Sequence, residues 1–538
     1  MQARIASLLN HFEILLHEHC LHEKAEGMEA ISNGVQSIGN HSAQEMENRN
    51  PKIRAVNLGG WLVTEGWIKP SLFDAIPNKD FLDGTRLQFK STTVGKYLCA
   101  ESGGGSRVVA NHTGTPAVAK PPAFSGFPWE TFRLWRINET LFNFRVANKQ
   151  FVGLDSSGNG VDLVATCDSP GKPETFEIVR NTDDPSRVRI KASNGFFLQV
   201  RTEERVTADY QCNKSDAWGD EDPSVFVMSM TKRLEGDFQV TNGLGPHKAP
   251  KVMREHWSTF IVEDDLKFVA ENGLDAVRIP VGWWIASDPN PPPPYVGGSL
   301  AFLDKAFSWA EKYGLKVIVD LHAVPGSQNG WEHSSSRDGF REWGDTDETI
   351  EQTLHVIEFL TSRYNKSPSL YAVDLMNEPF AETLPVETVV KYYRAGHSAV
   401  RKHSSTAYVI MSSVVGASGP ELLLPFASGL DRTVVDTHNY VLYKTKFDTV
   451  QGNLDFIYKD RSAQLDRLAT SDGPLTFVGE WVAEWTVDGA TKEEYQKFAE
   501  AQQEVYGRAT FGWSYWTLKC AKHHWSLEWM IKNGYIKL

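Results

Sequence analysis

The amino-acid sequence predicts an α/β protein in which a parallel (β/α)8 TIM barrel carries one inserted all-β domain. Eight short apolar runs of strand-like length are spread along the chain, and helical patterns fill most of the gaps between them. Strand–helix alternation repeated eight times is typical of such a barrel. The first gap is far longer than the others and contains three similar β-rich units. Three repeats of this kind favour a β-trefoil.

Length and composition limit the classes of protein to which this chain can belong. Its 538 residues are enough for a large core and at least one further module. The 68 acidic and 55 basic residues leave a formal charge of −13, which argues against nucleic acid and anionic membrane surfaces as partners. No apolar run reaches the roughly 18 residues that a membrane span needs. The five cysteines are scattered, so buried thiols are favoured over a disulfide framework or a zinc site.

The predicted barrel strands share apolar and often β-branched residues. They are Ile53–Leu58, Ala276–Val281, Lys316–Leu321, Tyr371–Met376, Ala407–Met411, Thr433–Val435, Leu475–Val478 and Gly512–Trp516. Helical patterns lie at Ser258–Asn272, Leu300–Tyr313, Thr349–Tyr364, Val386–His403 and Lys492–Tyr506. Residues 1–50 precede this alternation and are expected to form a weakly structured extension.

A polar or aromatic residue stands at the end of nearly every predicted strand. In chain order these residues are Asn57, Arg278, His322, Asn377 with Glu378, His438 with Tyr440, Glu480 and Trp516. The carboxyl ends of barrel strands meet on one face. Because a purely structural barrel has no reason to place such groups at so many strand ends, the pattern predicts a pocket there.

Two of these strand ends carry a glutamate. Tyr371–Met376 leads into Glu378, and Leu475–Val478 leads into Glu480. One glutamate after a strand often does no more than start a loop. Two glutamates on the same face of a barrel are the paired carboxylates that cleavage of a glycosidic bond needs.

The long first gap predicts an inserted domain at residues 79–240, with the barrel formed by residues 51–78 and 241–538. Each of its three repeats pairs an opening strand with a closing one. Phe132, Phe176 and Phe226 occupy matching places in the closing strands, 44 and 50 residues apart. The insert follows the first strand and so enters on the catalytic face. It either lines the substrate entrance or stands clear as a binding lobe.

Several motifs resemble glycoside hydrolase family 5 of the cellulase superfamily, above all its fungal and plant exo-β-1,3-glucanases. The motifs are Val56-Asn57-Leu58-Gly59-Gly60-Trp61, His256-Trp257-Ser258-Thr259, Val277-Arg278-Ile279-Pro280, Asp320-Leu321-His322, Asn377-Glu378-Pro379, His438-Asn439-Tyr440 and Gly479-Glu480-Trp481. They cover residues 53–78 and 250–538. The insert is similar to fascin-like β-trefoils, and the combination resembles plant family 5 enzymes that carry such a domain.

The resemblance implies a role for each matching residue. It makes Glu378 the acid/base and Glu480 the nucleophile. The residues that it places around the sugar are Glu65, Arg278, His322, Trp331, Asn377, His438, Tyr440, Tyr443 and Trp516. Trp331 stands where the exoglucanases have a phenylalanine that clamps the next sugar, with Tyr443 as its expected partner, and this departure leaves linkage preference open. Judged alone, Arg278 also fits a structural salt bridge, the two histidines a buried hydrogen bond, and Trp516 a core position.

The implied mechanism sets requirements on charge. The two carboxyls of a retaining enzyme lie about 5 Å apart. Glu378 must be protonated to donate to the leaving oxygen, so its surroundings are expected to raise its pKa. Glu480 must be ionised to attack, and Arg278 and Tyr440 are expected to hold it charged and oriented. No step needs a metal or an organic cofactor.

These observations favour a retaining β-glycosidase that acts on β-glucans or β-glucosides from the non-reducing end, of the glucan exo-1,3-β-glucosidase type. The alternatives are an endo-acting β-1,4-glucanase or mannanase of the same family, and a carbohydrate-binding scaffold with a vestigial barrel. The scaffold predicts loss of one glutamate, and both are present. The expected partner is a β-linked glucan or oligosaccharide, with polysaccharide also bound by the insert, and the chain is expected to be a monomer.

The family resemblance implies an extracellular or cell-wall location and a part in polysaccharide catabolism. The first 50 residues lack the uninterrupted apolar segment and the small-residue cleavage site of a secretory signal. A cytoplasmic location therefore stays open as an alternative.

Overall fold

The computed structural model describes residues 52–114, 128–157, 160–212, 217–381, 384–416, 419–442, 447–470 and 473–538. The expected N-terminal extension at 1–50 and the predicted sugar contact Tyr443 lie outside these residues. Residues 53–538 form one compact unit, which includes the barrel and the insert. In the ranges given above, no helix is long and apolar enough to cross a membrane.

The first barrel strand, β1 (Ile53–Asn57), is followed by an all-β domain. Its strands are β2 (Arg86–Ser91), β3 (Tyr97–Ala100), β4 (Val108–His112), β5 (Phe132–Arg136), β6 (Leu141–Arg145), β7 (Phe151–Leu154), β8 (Leu163–Cys167), β9 (Phe176–Arg180), β10 (Arg187–Ala192), β11 (Phe197–Thr202), β12 (Arg205–Tyr210) and β13 (Phe226–Lys232). Strands β2, β5, β6, β9, β10 and β13 pair antiparallel in a closed ring. The others form the hairpins β3–β4, β7–β8 and β11–β12.

The predicted repeats occupy equivalent places in this domain. Phe132, Phe176 and Phe226 are the first residues of β5, β9 and β13. All three belong to one buried apolar cluster, in which Phe132 and Phe176 both pack on Phe144. The spacing of these phenylalanines along the chain therefore reflects one buried ring for every four strands.

Eight parallel strands form the closed barrel that the sequence predicts. After β1 they are β14 (Ala276–Gly282), β15 (Lys316–Ala323), β16 (Leu370–Asp374), β17 (Tyr408–Ser412), β18 (Thr433–Asn439), β19 (Leu475–Trp481) and β20 (Gly512–Tyr515). Each strand pairs with the next, and β20 pairs with β1 to close the barrel. All the predicted barrel strands are confirmed, with ends that differ by a few residues.

Helices connect most of the barrel strands. Their bounds are Asp237–Thr259, Glu263–Glu271, Ser299–Tyr313, Asp347–Tyr364, Val386–Arg401, Leu424–Ala427, Val450–Phe456, Ser462–Leu468, Lys492–Tyr506 and Leu527–Lys532. The pattern predicted as one helix at Ser258–Asn272 is instead the end of one helix and the whole of the next. The break occurs because Asp265 accepts a hydrogen bond from the Val262 amide at 2.8 Å and so starts a new helix.

The interior of the barrel changes from apolar to charged along the strands. One buried cluster includes Ala276, Ile318, Ala372 and Val434. Two residues further on, the same strands carry Arg278, Asp320, Asp374 and Asp436, all of them fully buried. Side chains alternate between the two faces of a strand, so residues two apart share a face. A layer of buried charge therefore lies directly above an apolar floor.

The inserted domain packs against the long loop that follows β15. Asp338 in this loop accepts hydrogen bonds from Trp135 Nε1 at 2.7 Å and from Arg145 Nη1 at 2.8 Å. Arg145 Nη2 also donates to Glu342 at 2.9 Å. The same loop carries Trp331 at the carboxyl ends of the strands. Of the two arrangements left open by the sequence, the insert thus does not stand clear of the barrel, because it supports a loop of that face.

We expect Asp338→Asn to lower the free energy of unfolding by about 3–5 kcal/mol, because it leaves the buried Arg145 without its closest charge partner. Only 3% of the Asp338 side chain and 10% of the Arg145 side chain are exposed. The control Asp345→Asn weakens contacts with Lys149 and Arg341 in which the Asp345 side chain is 39% exposed. It should cost about 0.2–1 kcal/mol. Denaturant unfolding measures both, and equal losses would contradict this account.

Candidate active site

Glu378 lies in a tight turn just beyond the end of β16. Its φ angle is +45°, a left-handed backbone conformation that residues other than glycine rarely adopt. Two side chains hold this turn. Ser412 Oγ accepts a hydrogen bond from the backbone N–H of Glu378 at 3.2 Å, and Asn329 Nδ2 donates one to the backbone carbonyl of Glu378 at 3.1 Å. Backbone strain of this kind clusters at functional sites, which singles out this glutamate.

Glu480 is the next-to-last residue of β19. The preceding Gly479 donates its N–H to Asp436 Oδ1 at 2.7 Å, an approach that leaves no room for a Cβ atom. The Glu480 carboxylate accepts from Arg278 Nη1 at 3.0 Å and from the Tyr440 hydroxyl at 2.7 Å. Both side chains that the sequence analysis associates with Glu480 thus contact it.

The two glutamates converge on one imidazole. His438 Nδ1 lies 2.7 Å from Glu378 Oε1 and 3.3 Å from Glu480 Oε2. Its Nε2 lies 3.1 Å from Asp436 Oδ2. One oxygen of each glutamate and one nitrogen of His438 all lie within 4.8 Å of one another. A separation of about 5 Å suits a retaining glycosidase, whereas inverting enzymes need about 6.5–9.5 Å.

Arg278 lies in the middle of β14 rather than at its end, where the sequence analysis places it. It is fully buried and contacts Asp374 at 2.9 Å and Asp320 at 3.2 Å. It also donates to Asn377 Oδ1 at 2.9 Å. Burial lowers the pKa of Arg278, but the nearby carboxylates outweigh burial and raise that pKa well above its usual range. Arg278 is therefore both a structural ion pair and a direct neighbour of Glu480.

The charge states of the free protein differ from those expected. Burial raises the pKa of Glu378, but the hydrogen bond and charge of His438 outweigh it and lower that pKa to about 2. Burial and then the charge of Glu378 raise the pKa of Glu480, against the effect of His438. Burial lowers the pKa of His438, but Glu480 and Asp436 raise it well above its usual value. The expectation of a raised Glu378 pKa is thus wrong for the free protein, because the proton rests on His438.

His322 and Trp516 form a stacked pair beside the carboxylates, with ring centroids 5.4 Å apart and planes 8° from parallel. His322 Nδ1 lies 2.6 Å from Asp320 Oδ2. Gly59 allows the close approach of Trp516, because a Cβ atom there would lie 2.7 Å from the indole ring. In the free protein both side chains are buried and have the core contacts that the sequence analysis left open as an alternative.

Glu65 lies in the segment after β1 and accepts a hydrogen bond from Trp67 Nε1 at 2.9 Å. Burial raises the pKa of Glu65, and the charge of Glu480 raises it further, so the two carboxyls are electrostatic neighbours. Trp67 packs edge-on against Trp525 with ring centroids 4.8 Å apart, and Trp525 lies 5.8 Å from Tyr440. The sequence analysis missed both tryptophans, although Trp67 stands only two residues after Glu65.

Trp331 packs against an aromatic ring that the sequence analysis did not name. Its ring centroid lies 5.5 Å from that of Phe380, whereas Tyr443 is outside the described residues. Phe380 directly follows the Asn-Glu-Pro motif and was missed. His333 was also missed, and its Nε2 lies 3.4 Å from Glu378 Oε2. Neither residue belongs to a motif or to a strand end, so no sequence signal marked it.

Within the described ranges, the atoms of Glu378, His438 and Glu480 are spaced closely enough to hold a metal ion. Both nitrogens of His438 already face carboxylates. As an imidazolium, His438 has two N–H donors and no lone pair to offer a cation. The cluster therefore suits proton transfer better than metal binding.

Comparisons with known proteins identify the two parts of the chain. Residues 244–521 match the family described as "Cellulase (glycosyl hydrolase family 5)". Residues 78–231 match a family described as "Domain of unknown function (DUF7910)". Glucan 1,3-beta-glucosidase of Yarrowia lipolytica is 29% identical over 361 residues, which cover 59% of this chain and 82% of that protein.

Two further similarities are to fungal proteins. The probable glucan 1,3-beta-glucosidase A of Aspergillus clavatus is 32% identical over 355 residues, which cover 58% of this chain and 82% of that protein. The crystal structure of rutinosidase from Aspergillus niger is similar with a TM-score of 0.49 and 22% identity, over 56% of this chain and 88% of that chain. Since the family 5 match spans more than half of the sequence, the chain belongs to glycosyl hydrolase family 5 and is a glycoside hydrolase.

Proposed function

We propose that this protein is a retaining β-glycosidase that hydrolyses β-glucans or β-glucosides by double displacement, with Glu480 as nucleophile and Glu378 as acid/base. The observation that carries the proposal is the approach of the two carboxylates to within 4.8 Å. Hydrogen bonds from Arg278 and Tyr440 support Glu480 as the anion that attacks. Arg278 is fully buried, so it acts through Glu480 rather than by touching the sugar.

In the first step Glu480 attacks the anomeric carbon, and the glycosidic bond breaks as Glu378 protonates the leaving oxygen. The proton comes to Glu378 from His438 across their 2.7 Å hydrogen bond. Glu480 is the first of the charges that raise the pKa of His438. Formation of the glycosyl ester neutralises that charge and so releases the proton. In the second step Glu378 takes a proton from water, which attacks the anomeric carbon and frees Glu480.

The sugar contacts are assigned to the residues that surround the two carboxylates. They are Glu65, His322, Trp331, Asn377, His438, Tyr440, Tyr443 and Trp516. Asn377 is held by Arg278 through its oxygen, and its Nδ2 lies 3.5 Å from His322 Nε2, which leaves its second N–H to bind the hydroxyl beside the reacting carbon. Trp516 supplies the indole surface under the sugar.

For the substrate, we propose exo action on β-1,3-glucan from the non-reducing end. Glu65 and Trp67 offer a carboxyl and an aromatic edge for terminal hydroxyls. The fungal relatives are glucan 1,3-beta-glucosidases by name. The second candidate is an endo-acting β-1,4-glucanase or mannanase, which the aromatic pair of Trp331 and Phe380 favours because it provides a surface for a further sugar.

Hydrolysis of laminarin oligomers, cello-oligomers, mannan and nitrophenyl glycosides tests this assignment. The exo enzyme should release glucose from laminarin oligomers as the first product, with no oligomers of intermediate length. NMR should show the β anomer first. Early intermediate-length products would favour the endo candidate, and an α anomer would exclude double displacement.

The pH dependence of kcat/KM should be bell-shaped. On the acid side the rate falls as Glu480 is protonated, and its raised pKa places this limb above the usual value of about 4.3. On the alkaline side the rate falls as the proton shared by Glu378 and His438 is lost, and the raised pKa of His438 places this limb above about 6.5. The optimum should therefore be weakly acidic to neutral. A profile that lacks either the acid limb or the alkaline limb would contradict this pairing.

We also propose that the insert at 79–240 is a fascin-like β-trefoil within a barrel of residues 51–78 and 241–538, as in plant members of the family. The ring of six strands and its three hairpins support this topology. In this proposal the insert binds polysaccharide, and the protein acts as a monomer outside the cell or in the cell wall. Retention of an inactive full-length variant on insoluble β-1,3-glucan tests the binding, and cell-wall fractionation tests the location.

A further inference from the structure

A cavity of about 660 Å³ lies between the segment after β1 and the C-terminal part of the chain. Residues 68–71 form one side of it, and residues of the segment 519–533 form the other. The two sides are joined where the Ala521 N–H donates to the Ile68 carbonyl at 2.9 Å. None of the described sugar contacts lines this cavity. Its volume is in the range of small-molecule sites, about 300–1,000 Å³, so it has room for an organic ligand.

A buried imidazole holds Lys69 at the wall of this cavity. Burial and then the charge of Lys69 lower the pKa of His256 to about 4, so the ring is neutral at physiological pH. Its Nε2 lies 3.0 Å from the carbonyl oxygens of both Gly60 and Trp61. Because carbonyl oxygens only accept, Nε2 carries the proton and Nδ1 offers a lone pair. Lys69 Nζ lies 3.2 Å from that Nδ1 and donates to it.

The positive charge of Lys69 is not balanced by a close anion. Among the residues that the structure describes, no carboxylate forms an ion pair with it, and its second neighbour is the Phe260 ring, 5.1 Å from Nζ to the centroid. Burial lowers the pKa of Lys69, the more distant Glu255 raises it, and the charge of Lys519 lowers it further. An ammonium has three N–H donors, and His256 accepts from only one of them. Lys69 can therefore still donate to a ligand.

The two other lysines at this cavity are paired with carboxylates. Lys519 Nζ lies 2.7 Å from Asp265 Oδ1, and Lys532 pairs with Glu528. The surplus charge of the cavity is therefore that of Lys69, in a chain whose formal charge is −13. An anion in the cavity would meet an ammonium that His256 already holds in place, and charge-assisted hydrogen bonds of this kind are stronger than neutral ones.

The remaining walls suit the carbon skeleton and hydroxyls of a sugar. Ile68 and the ring of Trp529 line the cavity, and His523 stacks on Trp529 with centroids 4.5 Å apart and planes 2° from parallel. Ser71 and Asn533 are exposed at the rim and add a hydroxyl and an amide oxygen. A bare inorganic ion would leave these surfaces uncovered.

We propose that this cavity is a second ligand site, which binds an acidic sugar through its carboxylate or phosphate group on the Lys69 ammonium. The sugar ring packs against Ile68 and Phe260, and its hydroxyls face the rim. The site is separate from the two catalytic glutamates, so this inference does not depend on the proposed hydrolysis.

Titration calorimetry with glucuronate, glucose 6-phosphate and neutral glucose tests the site. At least one of the two anions should bind with a Kd of about 1 mM or below, and which one binds distinguishes a carboxylate ligand from a phosphate ligand. Lys69→Met removes the ammonium and should weaken this binding about tenfold or more. Lys69→Arg keeps the charge and should stay within about threefold of the unmodified protein. Any heat from glucose should not depend on Lys69.

The exposed Lys391 on the helix Val386–Arg401 provides the matched control, and Lys391→Met should leave the binding unchanged. Unchanged thermal unfolding shows that the variants are folded. Ser71→Glu adds a negative charge at the rim without touching His256, so it should also weaken binding, and it replaces Lys69→Met if that variant does not fold. The inference is overturned if neither anion binds. It is also overturned if Lys69→Met weakens binding no more than Lys391→Met does.

Discussion

Glu480→Gln should abolish turnover, with a loss in kcat of about 10⁴–10⁶-fold, as found when other enzymes lose a covalent nucleophile. The neutral amide cannot form the glycosyl ester. Its oxygen can keep only one of the hydrogen bonds from Arg278 and Tyr440. The buried charged residues of the barrel interior, Arg278, Asp320, Asp374 and Asp436, are unchanged, so the variant should still fold.

Covalent labelling checks the assignment of Glu480 directly. A 2-fluoro glucoside with a good leaving group should add one sugar to the peptide that contains Glu480, as measured by mass spectrometry. Glu484→Gln is the matched control. Glu484 lies four residues after Glu480, but its carboxylate contacts His524 and Tyr495. This control variant should keep its activity and should still be labelled on Glu480. Label on another residue would refute the nucleophile assignment.

Glu378→Ala should have the second-largest effect, and its size should depend on the leaving group. For an alkyl glucoside or laminarin, kcat/KM should fall about 10²–10⁴-fold, because the leaving oxygen is no longer protonated. For a dinitrophenyl glucoside it should stay within about tenfold. The rate of ester hydrolysis should also fall, because no base activates water in the second step.

Azide provides the second measurement on Glu378→Ala. This small anion can enter the space left by the carboxyl and attack without a base, so it should restore turnover of the activated substrate and give a β-glycosyl azide. Equal losses on both classes of substrate, with no effect of azide, would contradict the role of Glu378 as acid/base.

The architecture could be read from local patterns in the sequence. Apolar runs such as Ala276–Val281 and Leu475–Val478 predict strands because a strand buried on both faces must be apolar along its length. Their alternation with helical segments predicts the barrel. The carboxyl ends of parallel strands meet on one face, so the topology alone places Glu378 near Glu480. The phenylalanine repeat likewise predicts three equivalent units in the insert.

Other features depend on contacts between residues that are distant along the chain. The proton rests on His438 rather than on Glu378 because Asp436 and Glu480 surround the imidazole, and sequence alone gives no distances between them. His333 belongs to no motif and reaches Glu378 only through the path of the loop after β15.

The insert meets the same loop through Asp338, although the repeats that define it say nothing about its outer surface. Periodicity and turn chemistry are local properties, and they predict the elements and their order. Electrostatic and hydrogen-bond energies depend on the distances and orientations of specific atoms. The location of the proton on His438 and the contact between His333 and Glu378 therefore follow only from the packed arrangement of the loops around the barrel.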